Sequence, residues 1–296
     1  MIYIILKAQL GNQLFQIFNA INLSLKYNID YRICCDKDNK TIYENKKTYF
    51  DIFLNVIKDK VVNTNKEEIE INISNNIKYK EKSFNYDKIN LENYTNLIIN
   101  NIYIEGFFQS YKYFEENYNE IIELLNIKKL QNNLKIEYNY IFSKKTIGIH
   151  FRLGDYIFLQ DFHPIQTIKY YIKALSELNN KLSINNDNII NYNILVFCQN
   201  IDNNIVNKYI NRLNLYFQNK INFIKINDSI NEWEQILFMS LCDHLIIANS
   251  TFSWFGGYFS EKENKIIIYP KKWFGKNYKD NSIVDLIPNN WIEIDD

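Results

Sequence analysis

Short runs of β-branched and apolar residues alternate along this chain with longer stretches in which apolar residues recur every three or four positions. Ile2-Tyr-Ile-Ile-Leu6 reads as a buried strand of the kind a covered parallel sheet requires. The loop Gln9-Leu-Gly-Asn-Gln-Leu-Phe15 follows, and Leu14, Ile17, Phe18, Ile21 and Leu25 then fall at helical spacing. Strand, glycine-bearing loop and helix make a βα unit with its loop at the carboxyl end of the strand. Tyr103 to Phe108 predicts another strand and Phe114 to Leu125 a helix. The Asn- and Lys-rich stretch 36–100 has only patchy apolar runs and yields no firm elements.

The second half is more regular. Strands are predicted at Thr146 to His150, Tyr192 to Phe197, Ile221 to Ile226 and His244 to Ala248. Helices are predicted at Ile168 to Leu178, Ile205 to Leu215 and Asn231 to Cys242, with a further one beginning in Asn249-Ser-Thr-Phe-Ser-Trp254. Lys265 to Tyr269 closes the series as a strand. Such alternation implies an α/β fold with mostly parallel sheets and helices on both faces. Asn126 to Ser143 reads as the inter-domain segment, giving domains 1–141 and 142–296.

Composition narrows the function classes. A length of 296 residues suits about two domains, and 47% apolar residues support buried cores. Lys+Arg and Asp+Glu both number 34, so no general attraction to nucleic acid or anionic membrane is expected. Four cysteines without a C-x-x-C pair argue against a disulfide scaffold. Three histidines, His150, His163 and His244, are too scattered for a recognisable zinc signature, so no metal is expected. The N-terminal apolar run breaks at Lys7, too soon for a signal peptide, and no window approaches about 18 apolar residues. The expectation is a soluble cytoplasmic protein with no integral membrane segment, which a partner could still recruit to a membrane.

Three polar loops each follow a predicted strand: Leu10 to Gln16, His150 to Tyr156 and Asn249 to Trp254. In open α/β sheets ligands bind outside the carboxyl ends of strands. Gly11 allows close backbone approach, and Arg152 offers a planar fork matched to phosphate oxygens. Asn249, Ser250, Thr251 and Ser253 stand where a helix begins, so hydroxyls and backbone N–H groups converge on an anion. Each piece also has a structural reading. Gly11 can simply close a turn, and Ser250 or Thr251 can be an N-cap. Arg152 can pair with Asp155, His150 can be a core histidine, and Trp254, Phe255 and Tyr258 fit core packing. Together the loops predict a phosphate-bearing ligand in an α/β cleft.

Leu10-Gly-Asn-Gln-Leu-Phe-Gln16, Gly106-Phe-Phe-Gln-Ser110 with Lys112-Tyr-Phe114, and Ile149-His-Phe-Arg-Leu-Gly-Asp-Tyr156 resemble the glycosyltransferase family 11 fucosyltransferases. So do His163-Pro-Ile with Tyr170-Tyr171, Phe238-Met-Ser-Leu-Cys242, Ile246-Ile-Ala-Asn-Ser-Thr-Phe-Ser-Trp254, Pro270-Lys-Lys-Trp-Phe274 and Leu286-Ile-Pro-Asn-Asn-Trp291. The matches keep the family's order along nearly the whole chain and are thinnest over 36–100. The resemblance implies a GT-B type enzyme, with two Rossmann-like domains facing across a cleft. The N-terminal domain would lie on the acceptor side, and the C-terminal one would hold the nucleotide sugar. It further implies inverting, metal-independent transfer of L-fucose from GDP-β-L-fucose to a glycan acceptor, with the 2-OH of galactose as the usual target. No cofactor is implied beyond this donor substrate.

By the same resemblance, Arg152 would hold the donor β-phosphate and Asn249, Ser250, Thr251 and Ser253 would add donors to the phosphates. Gly11, Asn12 and Gln13 would line the donor site from the first loop, while His150 and Asp155 would support Arg152. Asp155 is also a candidate base for the acceptor hydroxyl unless Arg152 engages it. The chain departs from the family pattern at three places. Leu153 replaces a second arginine, Cys198-Gln199-Asn200 replaces Ser-Asp-Asp, and Lys7-Ala-Gln9 replaces a glycine-rich stretch. These departures leave open another donor, such as a different GDP-deoxyhexose, or a non-catalytic nucleotide- or glycan-binding protein on the same scaffold.

Overall fold

The isoleucine-rich opening segment forms strand β1 (Ile2–Ile5), and its apolar side chains are almost wholly buried. Around it, a computed structural model describing residues 1–93, 101–278 and 282–296 builds two compact units. The first comprises Met1–Lys128 with Asn281–Pro288, and the second Lys129–Asp280 with Asn289–Asp296.

In the first unit β1 is followed by α1 (Leu10–Tyr27), β2 (Tyr31–Cys35), β3 (Val61–Asn63), α2 (Lys66–Ser74), β4 (Ile77–Lys80), β5 (Ile102–Glu105) and α3 (Tyr118–Leu124). Helix α1 buries Leu14, Phe15, Phe18 and Ile21, spaced to share one face, with Phe15 and Phe18 packing on Phe114. It ends where Asn28 takes a left-handed conformation, as a helix C-terminus commonly does. The strands pair in parallel in the order β3-β2-β1-β5-β4.

The second unit begins with α4 (Ile127–Glu137), which crosses the division, and α5 (Asn139–Phe142). It continues through β6 (Thr146–His150), α6 (Ile168–Ser183), β7 (Asn193–Phe197), α7 (Asn203–Tyr216) and β8 (Asn222–Lys225). Then come α8 (Glu232–Leu241), β9 (His244–Ile246), α9 (Thr251–Tyr258), β10 (Ile267–Pro270) and β11 (Ile292–Ile294). Its sheet is also parallel, in the order β11-β10-β9-β6-β7-β8. Ile147, Ile149, Ile194, Val196, Ile246 and Ile268 project from the sheet into a core completed by Tyr170, Tyr171, Leu175 and Leu178 of α6. This is the pair of Rossmann-like α/β units expected from the sequence.

Two expectations change. The series does not close at Tyr269, because β11 adds an edge strand beside β10. The division falls at Lys128 rather than 141, and the reason is visible in α4. Gln131 is buried and donates to Ser240 Oγ at 2.7 Å and to the Phe259 carbonyl at 2.9 Å. Tyr138 and Phe142 then pack on Phe238. The stretch read as a connection is therefore a helix committed to the second unit. The segment Asn281–Pro288 returns to the first unit, where Asp285 accepts from Lys112 Nζ at 2.6 Å and from the Tyr86 amide at 3.0 Å.

Each sheet reverses its strand order beside its first strand. From β1 the chain moves outward to β2 and β3, crosses to the far edge at β4, and returns to β5 beside β1. From β6 it moves to β7 and β8 and then restarts at β9, on the other side of β6. The crevices at these reversals, between β1 and β5 and between β6 and β9, are where such sheets bind ligands. Among the described residues, no helix is long and apolar enough to cross a membrane.

The turn entering α1 carries a measurable strain. Ala8 has φ +58°, a left-handed conformation, while its carbonyl accepts from Gln13 Nε2 at 2.9 Å. That conformation costs a non-glycine residue about 1–2 kcal/mol, whereas glycine adds about 0.4–1 kcal/mol of unfolded-chain entropy. The strain term wins, so Ala8→Gly is expected to stabilise the protein by about 0.5–1 kcal/mol in urea unfolding. A destabilised variant would contradict this account of the turn.

Candidate functional site

Helix α6 fixes the ends of the two strands that flank the reversal in the second unit. Tyr171 donates its hydroxyl to the carbonyl of His150, the last residue of β6, at 3.1 Å. Tyr170 does the same to Ile247, just beyond β9, at 2.6 Å. Both tyrosines are fully buried, and burial pushes their hydroxyl pKa values well above the ordinary range. They act as permanent donors that peg β6 and β9 side by side.

The chain leaving β6 places Arg152 at this crevice. Arg152 is only 8% exposed, and burying its charge demands partners. Asp155 accepts from Nη2 at 2.5 Å, and Gln199 Oε1 accepts from Nη1 at 2.7 Å. The Tyr156 ring lies beneath the guanidinium at 4.6 Å, a cation–π arrangement, and stacks in turn on His163 at 4.9 Å. Tyr156 also reaches across to the Asn249 carbonyl at 3.2 Å, tying the loop after β6 to the loop after β9.

Leu153 and Gly154 make the turn that aims Arg152. Leu153 is buried in the core of the second unit. Gly154 has φ +38°, and its amide is held by both carboxylate oxygens of buried Asp202, at 2.9 and 3.0 Å. A Cβ there would stand 2.1 Å from Gln199 Oε1, and the positive φ would strain any other residue.

Beyond β9, Ser250 is the N-cap of α9, and its side chain accepts from the Phe252 amide at 3.3 Å. Thr251 begins the helix and is half-buried. Ser253 is fully buried, with its hydroxyl turned back onto the carbonyls of Ala248 and Ser250. Asn249 is buried too, and its Nδ2 donates to the carbonyls of Pro164 and Trp273 at 2.9 and 3.0 Å. Ser253 and Asn249 thus shape the loop from inside, while the positive end of α9 opens on the crevice beside Arg152. Trp254 and Phe255 are fully buried, with Trp254 stacked on Tyr258, as core packing predicts.

His150 is 4% exposed, and its ring lies 5.6 Å from that of Phe252, with no hydrogen bond to Arg152. Burial, and secondarily the charge of Arg152, push its pKa down to about 3, so its ring is neutral near pH 7. Its Nδ1 and the Oδ1 of Asn249 are buried with no hydrogen-bond partner. Such uncompensated polar atoms are uncommon in protein interiors and call for a physical reason.

Gly11, Asn12 and Gln13 lie in the first unit, at its own crevice between β1 and β5. Asn12 Oδ1 accepts from Gln109 Nε2 at 2.8 Å across that reversal. Lys7 and Glu105 span it as well, at 2.5 Å, and Lys78 pairs with the other oxygen of Glu105 at 2.8 Å. These two lysines outweigh the burial of Glu105, whose pKa drops to about 2. Gln13 is buried and ties the Ala8 and Lys47 carbonyls together. Among the described residues, no three His, Cys, Asp or Glu side chains gather in a way that could hold a metal ion.

The motif positions on the loop after β6 are joined in space, and two of their supports, Gln199 and Asp202, lie outside the motif. Gln199 stands in the sequence only as a departure from the family pattern, and nothing near Asp202 points to a site. The usable signal was the polar run directly after strand β7, which pairs with β6 and delivers that run to Arg152.

A model of the family described as glycosyl transferase family 11 matches residues 1–295. An O-antigen biosynthesis glycosyltransferase, WbnK, of Escherichia coli is 27% identical over 331 residues, covering 99% of this chain and 100% of that protein. An alpha-1,2-colitosyltransferase of Escherichia coli is 26% identical over 194 residues, covering 64% of this chain and 61% of that protein. Among solved structures, the glycosyl transferase family 9 protein from Veillonella parvula is similar with a TM-score of 0.48 at 10% identity, over 99% of this chain and 86% of that one.

The three histidines generate a pH dependence of stability. Burial lowers the pKa of His150 to about 3 and of His244 to about 4, and also lowers that of His163. In the unfolded chain they titrate near 6.5, so below that pH the unfolded state binds protons that the folded state does not. Stability is therefore lost as pH falls from about 6.5 towards 4, by up to about 1.4 kcal/mol per pH unit for each group. Melting temperature is expected to fall between pH 7 and pH 5, less steeply in a His150→Gln, His244→Gln double variant. A flat profile in the unmodified protein would contradict the assignment.

Proposed function

The chain belongs to glycosyl transferase family 11, and from that premise we propose that it transfers L-fucose from GDP-β-L-fucose to a hydroxyl of a glycan acceptor, the 2-OH of galactose being the favoured target. The observation that carries this reading is the buried, clamped guanidinium of Arg152 beside the N-terminus of α9, at the strand-order reversal of the second unit.

In this reading the pyrophosphate of the donor lies over that crevice. The acceptor oxygen bonds to C1 of fucose as the bond from C1 to the β-phosphate oxygen breaks, inverting the configuration at C1. The acceptor hydroxyl gives up its proton to solvent water, and GDP departs with one more negative charge. Positive charge develops on the sugar ring while negative charge grows on the leaving phosphate. Arg152 and the first backbone N–H groups of α9 are fixed donors for that growing charge, so the reaction needs neither a metal nor a cofactor. Asp155 is engaged by Arg152 and serves as its ionic partner rather than as the acceptor's base. The neutral ring of His150 flanks the phosphates. Acceptor recognition belongs to the first unit, whose crevice offers the Asn12, Gln109, Lys7 and Glu105 side chains.

The name of one relative, an alpha-1,2-colitosyltransferase, favours a second reading of the donor sugar: a different GDP-deoxyhexose held by the same phosphate machinery. Cys198-Gln199-Asn200, where the family pattern differs, stands at the same end of the sheet.

Calorimetric titration with GDP, using UDP, CDP and ADP as controls and EDTA throughout, tests the reading. Selective GDP binding is expected in EDTA, and Arg152→Ala is expected to abolish most of it and to lower turnover by about 10²–10³. A folded Arg152→Ala protein with near-normal turnover, or activity that requires added Mn²⁺ or Mg²⁺, would overturn it.

A further inference from the structure

The crevice between β1 and β5 is framed by two strained turns, and each is held by a carboxylate from outside the motifs. We propose that Glu44 and Glu81 are positioning residues for the acceptor, setting the turns that bring Asn12 and Gln109 together at this crevice. The inference rests on the reading of the first unit as the acceptor side.

Ala8 and Phe108 each stand three residues beyond the last residue of a strand, Ile5 of β1 and Glu105 of β5. Both are left-handed, with φ +58° and +52°. Among the described residues, every other non-glycine residue with positive φ is an asparagine or a glutamine. Neither alanine nor phenylalanine favours that conformation, and strain of this kind persists only where the surroundings enforce it. In both turns the strained residue gives its backbone N–H to a carboxylate. Ala8 donates to Glu44 Oε2 at 2.6 Å, and Phe108 donates to Glu81 Oε1 at 3.0 Å.

The hold of Glu81 is the firmer of the two. Its Oε2 accepts from the Phe107 amide at 2.6 Å, so one carboxylate spans two successive N–H groups. Gly106 permits that approach, since a Cβ there would stand 2.4 Å from Glu81 Cβ. Burial pushes the Glu81 carboxyl pKa up, while the Phe108 and Phe107 amides and the charge of Lys7 oppose the shift. The Phe108 ring is fully buried against Tyr79 and Tyr113, and its carbonyl accepts from the Ser110 amide at 2.7 Å. Gln109 is enclosed by that tight turn, and its side chain donates to Asn12 Oδ1 at 2.8 Å. On the opposite side, the Ala8 carbonyl accepts from Gln13 Nε2 at 2.9 Å, beside Asn12 in the first turn of α1. The two turns thus fix the amide pair from both strands. Glu44 and Glu81 both come from the stretch 36–100, where the resemblance to the family is thinnest. The motifs supply the amides, and that stretch aims them.

The test measures fucose transfer by the full chain to β-galactosides (lactose, N-acetyllactosamine and methyl β-galactoside), with GDP affinity read by calorimetry. Melting temperatures establish that each variant is folded. Glu81→Ala is expected to raise KM for the galactoside by about tenfold, the usual scale for a hydrogen bond to a charged group, with GDP affinity nearly unchanged. Glu44→Ala, at an exposed position, is expected to shift KM in the same direction, and it decides the matter if Glu81→Ala does not fold. In a Gln109→Ala background, Glu81→Ala is expected to raise KM no further, because its effect passes through Gln109. An unchanged galactoside KM would mean no role. Equal losses for galactoside and GDP, or additive effects in the double variant, would mean a merely structural one; each of these overturns the proposal. If the unmodified protein transfers fucose to no galactoside, the proposed function itself fails, and the inference with it.

Discussion

A guanidinium held out of water must be answered by its surroundings, and the second unit is organised around answering Arg152. An unpartnered buried charge costs several kcal/mol, so the loop that carries it is stable only with its partners in place. Asp155 supplies the charge, Gln199 the opposing acceptor and Tyr156 the face. Those partners in turn need Gly154 at a positive φ, Asp202 on its amide, and β6, β7 and β9 ending at one level. Tyr170 and Tyr171 fix that level from the core side. The outcome is a cation that cannot relax away from its place, which is what preorganised stabilisation of a leaving phosphate requires.

The two units use one topological device for different chemistry. Each sheet reverses its strand order beside its first strand, so each has a crevice at the carboxyl ends of two adjacent strands. In the second unit that crevice gathers a clamped cation and a helix N-terminus, suited to an anion. In the first it gathers an amide pair, Asn12 and Gln109, and a lysine–glutamate–lysine cluster, which together offer donors and acceptors of mixed charge suited to sugar hydroxyls. The strain at Ala8 lies in the turn that follows β1, beside this crevice.

Much of this was legible in the sequence, and the failures have physical causes. The inner strands of the second unit were readable because they are buried and largely apolar along their length, as in Thr146–His150 and Asn193–Phe197. Strands β3 and β4 were not, being short edge strands with half-exposed positions and, in β4, alternating lysines. Helix α4 was hidden because Gln131 occupies a core-facing position between Ile127 and Leu134 and breaks the apolar stripe. The motif residues around Arg152 were legible because they are contiguous. Gln199 and Asp202 were not, because their partnership with Arg152 and Gly154 exists only once β6 and β7 have paired. Ser253 and Asn249 share the loop of Ser250, yet only coordinates reveal that their polar groups turn inward.

The central claim is that the pyrophosphate of a GDP-sugar lies over the crevice between β6 and β9. A crystal structure of the protein with GDP tests it most directly. The account predicts β-phosphate oxygens within hydrogen-bond distance of the Arg152 guanidinium and of the backbone N–H groups that open α9. A pyrophosphate bound over the β1–β5 crevice beside Lys7 and Asn12, with Arg152 untouched, would contradict it.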